Sequence, residues 1–155
     1  LIVEGKKLYV NKQILGHRCK FFDRMFYGDF KEANQSEITI PDLNVEEFEN
    51  FLMVVYGHTD YVVSDSTLKL ADRFDAPLIV RECEKYLMDT PYKTLEQKIV
   101  LGDRYKLSFL LDQCLQKLDS VQSIQQLMES DEFPHLSQSF KDVLLIKMVT
   151  PKWAV

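Results

Sequence analysis

The side chains best placed to do chemistry lie in Tyr27-Gly28-Asp29-Phe30-Lys31-Glu32, where an aromatic ring and a carboxylate stand two residues apart on a segment too polar to be core. That pairing suits gripping another protein. A ring such as Phe30 contributes up to ~2 kcal/mol when its apolar surface enters a pocket, and a carboxylate such as Glu32 can cap a helix N-terminus or meet a basic side chain. Three residues alone fit a ring lying over the chain's own core and a solvated acid at least as well, so the framework around them has to decide.

Groups suited to catalysis are not arranged for it. His17-Arg18-Cys19 invites a nucleophile, yet no second histidine or acid is spaced to orient a base, and catalytic thiols need such neighbours to form thiolate. Gly5, Gly16, Gly28, Gly57 and Gly102 are all isolated, so no phosphate-cradling loop exists. Neither CxxC nor HxxxH spacing occurs around His17, His58 or His135, and no metal or cofactor is expected. Cys19, Cys83 and Cys114 are widely separated and odd in number, which reads as small buried hydrophobes in a reducing compartment. The adjacent opposite charges Asp23-Arg24, Asp72-Arg73 and Asp103-Arg104, with Asp75, point about 100° apart on a helix and read as solvated faces.

The chain has 155 residues, 46% of them hydrophobic and 28% charged, enough to bury a core without staples. The formal net charge of −5 opposes attraction to phosphate backbones and anionic membranes, so nucleic acid and membrane are not expected partners. No apolar run approaches the ~20 residues that span a bilayer. An intracellular protein, cytoplasmic or nuclear, is expected. The chain opens as if in mid-strand, which predicts further residues upstream.

The elements that must position Phe30 and Glu32 follow from periodicity. Residues 1–4, a Gly5-Lys6 turn and residues 7–11 read as a β-hairpin, and residues 37–40 as a further short strand. Between them, residues 12–27 form two short helices broken near Gly16 to Lys20. Asn44 is an N-cap whose side chain accepts from the N–H of Glu46 or Glu47, ahead of a helix with Val45, Phe48, Phe51, Leu52 and Val55 on one face. Leu68, Leu70, Ala71 and Phe74 mark the next helix, and Pro77 starts another. Thr90-Pro91 is the clearest boundary, dividing the chain into 1–90 and 91–150. Thr94 and Gln97 form a capping box ahead of helices at 95–105, 109–118, 123–128 and 139–149.

The succession LIVEGKKLYVNKQIL, FFDRMFYGDFKEA, EITIPDLNVEEFENFLMVVY and LKLADRFDAPLIVRECEKYL resembles the BTB/POZ domain over about residues 1–87, most like those of MATH–BTB and related substrate adaptors of cullin-3 ubiquitin ligases. The resemblance implies an α+β fold, a small sheet flanked by helices, followed by a helical 3-box or BACK-like extension at 91–150. It implies that Phe30 and Glu32 are the hydrophobic-x-Glu motif that docks the cullin N-terminal region, with Met53, Tyr56 and Tyr61 on the same side. It also implies a homodimer with Ile14, Leu15, His17 and Phe22 near a two-fold axis, since an isologous contact needs an apolar patch facing its own copy. Leucines of the extension beyond those packed internally would line a groove for an extended cullin segment. The implied role is a non-catalytic adaptor whose substrate protein is held by a region outside this chain. Many BTB domains read Ala-His-Arg or Ala-His-Lys where this chain has Val10-Asn11-Lys12, so the charged pocket that such residues form in transcriptional repressors retains only Lys12, which weakens a corepressor-binding role. The alternative is a module for self-assembly or scaffolding that ignores cullin.

Overall fold

Two residues with left-handed backbone, Glu4 (φ 48°) and Gly5 (φ 79°), turn the first hairpin in the computed structural model, which describes residues 1–29, 31–58 and 63–150. Strands β1 (Ile2–Val3) and β2 (Lys6–Lys7) pair antiparallel with Val3 opposite Lys6. Both central positions of such a loop need positive φ, so the turn falls on Glu4-Gly5, one residue earlier than the expected Gly5-Lys6. Gly5 adopts this backbone freely; Glu4 does so with its carboxylate accepting from the Val45 N–H at 2.9 Å, which ties the hairpin to the start of α3 (Val45–Val55).

The sheet is smaller than expected. Asn11 leaves it to cap α1 (Lys12–Arg18), accepting from the N–H groups of Gln13 and Ile14, and residues 37–40 supply one parallel bridge, Thr39 to Ile2. Among the described residues the chain is mostly helical, with nine α-helices beside the two short strands.

Cys19 separates α1 from α2 (Lys20–Tyr27), and its side chain makes no capping bond. The first N–H groups of α2 are satisfied from elsewhere: Lys20 and Phe21 donate to the carbonyls of Asp75 (3.0 Å) and Phe74 (3.2 Å), just past α4 (Asp65–Arg73). Asp75 takes a left-handed backbone (φ 51°) to do so, and its carboxylate lies 3.8 Å from Lys20 and 3.6 Å from Arg24. The Phe74 ring sits among those of Phe21, Phe22, Phe48 and Phe51, at centroid distances of 5.3, 4.7, 5.7 and 5.6 Å. Phe22, Phe48, Phe51 and Phe74 are all fully buried, so one cluster joins α2, α3 and the end of α4. Asn44 caps α3 through the Glu47 N–H, and Ser64 with Thr67 boxes α4. Arg73 is not a free surface charge: its guanidinium donates to the carbonyls of Asp42 (2.7 Å) and Pro41 (2.9 Å), bracing the turn before α3.

The chain divides into two compact units, Leu1–Cys83 and Glu84–Val155, with the division inside α5 (Pro77–Asp89). In the second unit three buried charged side chains each serve a helix end. Glu84 accepts from the Leu110 N–H (3.0 Å) in the first turn of α7 (Ser108–Lys117), whose N-cap Leu107 offers no side-chain bond. Lys98 of α6 (Leu95–Tyr105) donates to the Thr90 carbonyl at 2.8 Å, at the end of α5. Asp103 accepts from both the N–H (2.6 Å) and hydroxyl (2.7 Å) of Ser137, the N-cap of α9 (Gln138–Val149). Each sign matches the helix end it meets, and each buried charge is bonded, as burial demands. Asp103 therefore belongs to the interior and not to the solvated face expected of it. The Thr94–Gln97 capping box is present at α6, and Ser120 with Ser123 boxes α8 (Val121–Met128). Gly102 lets α6 and α7 approach, since a Cβ there would lie 2.7 Å from the Leu111 Cδ2.

The Phe74→Ala variant is expected to lose about 3–5 kcal/mol of unfolding free energy in a denaturant titration followed by circular dichroism. A loss below about 1 kcal/mol would mean that this ring does not organise the first unit.

Candidate functional site

Helix α2 closes at Gly28, whose N–H meets the Arg24 carbonyl (2.9 Å), and a 3-10 turn follows at Lys31–Asn34. Phe30 lies outside the described residues. Glu32 is half-buried in the turn, and among the described residues its carboxylate takes no hydrogen bond or ion pair. It edges a hollow of about 330 Å³ whose other described lining residues are Phe21, Arg24 and Met25 of α2. Positions 21, 24 and 25 share one helix face by their spacing. Phe22 and Phe26 form the buried stripe of α2, whereas Phe21 and Met25 remain half-exposed beside it. Four apolar residues in α2, where one stripe needs two, are the readable sign of this second face.

A second hollow, of about 560 Å³, lies between α1 and the end of α3 and is lined by Gln13, Ile14, His17, Arg18, Val55 and Tyr56. Asn11 positions it: capping α1 with its side chain, it also donates its N–H to the Tyr56 hydroxyl at 2.9 Å. Tyr56 thus stands with Ile14 and His17, not with Glu32, and the two hollows share no described lining residue. Ile14 is 42% exposed and His17 is exposed, so both are available to a partner. Leu15 and Phe22 are not: both are fully buried within this chain, because they lie on the faces of α1 and α2 that pack inward. That burial corrects their assignment to a dimer surface. Met53 is half-buried on α3, and Tyr61 lies outside the described residues.

Among the described side chains, the titratable groups with shifted protonation are thiols. Burial pushes the Cys19 and Cys83 thiols up to about 12 from an ordinary 9.0, and burial raises Cys114 as well. Among the described residues no group of three or more histidine, cysteine, aspartate or glutamate side chains is gathered as metal ligands would be, and no helix is long and apolar enough to cross a membrane. In the second unit Ile99, Leu107, Leu110 and Leu118 are spent on its own core.

A family profile described as "BTB/POZ domain" matches residues 1–91. The chain is 33% identical over 153 residues to "BTB and MATH domain-containing protein 36" of Caenorhabditis elegans, covering 96% of this chain and 48% of that protein. It is 30% identical over 152 residues to "BTB and MATH domain-containing protein 38" of the same organism, covering 96% of this chain and 39% of that protein. With "Kelch-like protein 22" of Mus musculus it shares 29% identity over 115 residues, 72% of this chain and 17% of that protein. The chain spans about half the length, or less, of these relatives.

Because the thiols are buried and held protonated, native protein at neutral pH is expected to react with a thiol reagent far more slowly than unfolded protein. The unfolded chain loses these protons near 9.0 while Cys19 and Cys83 in the fold keep theirs to about 12, so stability is expected to fall as pH rises through that window. Rapid labelling of the native chain would show these sites to be open.

Proposed function

The chain belongs to the BTB/POZ domain family, a family of protein-interaction modules, and on that premise we propose that it docks the N-terminal region of cullin-3 and pairs with its own copy. It would bridge the cullin to a substrate protein held by a region outside this chain, as a non-catalytic adaptor of a ubiquitin ligase. Ubiquitin transfer then gains from tethering, which raises effective concentration without side-chain chemistry here. The observation that carries this reading is Glu32. Its carboxylate sits unengaged among the described residues at the edge of an apolar hollow, two residues from Phe30, where a helix N-terminus or a basic side chain of a partner would satisfy it.

Self-pairing is supported by Ile14 and His17, exposed together in the hollow between α1 and α3, with Tyr56 beside them. A two-fold axis at this surface would set Ile14 against its own copy. The helical region after residue 91 is read as a 3-box or BACK-like extension of the same adaptor. Three unbridged thiols fit a reducing cytoplasmic or nuclear setting.

The Phe30→Ala, Glu32→Ala double variant is expected to bind the cullin-3 N-terminal region at least about tenfold more weakly than the parent in calorimetric titration. Equal affinities would overturn docking through this pair, and a parent that dimerises but ignores cullin would be a self-assembly module. Ile14→Asp is expected to shift sedimentation from dimer toward monomer without altering the fold; a parent that stays monomeric at high concentration would end the dimer reading.

A further inference from the structure

We draw no further inference here: the strongest candidate, the apolar face of α9 in the second unit on which Leu145, Ile146 and Val149 stand exposed, carries none, because nothing in the structure shows what covers it.

Discussion

The first unit is organised by the end of α4, where Phe74 supplies a ring to the core and Phe74 and Asp75 supply carbonyls to the start of α2. Helix α2 begins without a side-chain cap, so the placement of its first turn depends on groups more than fifty residues away in sequence. Ring and carbonyls act together: the ring fixes the inner face of α2 against Phe22, and the carbonyls fix its axial position. Everything proposed for the outer face inherits that placement. Phe21, Arg24 and Met25 point where they do because the inward face is committed to the aromatic cluster, and the turn that carries Glu32 hangs from the far end of the same helix.

What could be read in the sequence was what is local. Asn44 as the cap of α3, Thr94 with Gln97 at α6 and Pro77 opening α5 each need only a few neighbouring residues, and each is found where periodicity put it. The sheet was over-read because strand extent depends on distant pairing: Asn11 suits a strand by alternation but is claimed by α1 and Tyr56. The roles of Asp103, Glu84 and Lys98 were illegible for the same reason. Nothing near Asp103 in the chain shows that Ser137 will bring it two donors, so a charged helical residue reads by default as solvated. Glu32 could be singled out from its motif, whereas the hollow beside it requires knowing that Phe22 and Phe26, rather than Phe21 and Met25, face inward.

Among the described residues, the surfaces proposed for interaction carry no thiol. The thiols are buried and protonated, while more exposed side chains line the two hollows. Helix α1 shows the division within seven residues: Leu15 faces the interior while Ile14 and His17 remain outside, so one short helix both anchors itself and offers a surface. Recognition by such surfaces depends on shape and charge placement, which the packed interior holds in position.

The stretch that matches the family profile ends at residue 91, but Glu84 and the Thr90 carbonyl are answered by Leu110 and Lys98 further along. The family profile and the hydrogen-bonded unit therefore have different borders in this protein. A chain truncated at residue 91 would keep Glu84 in α5 without the Leu110 N–H, its donor among the described residues, together with a helix terminus stripped of its ammonium. The smallest piece that can stand alone is set by where those hydrogen bonds are completed, beyond the end of the family profile.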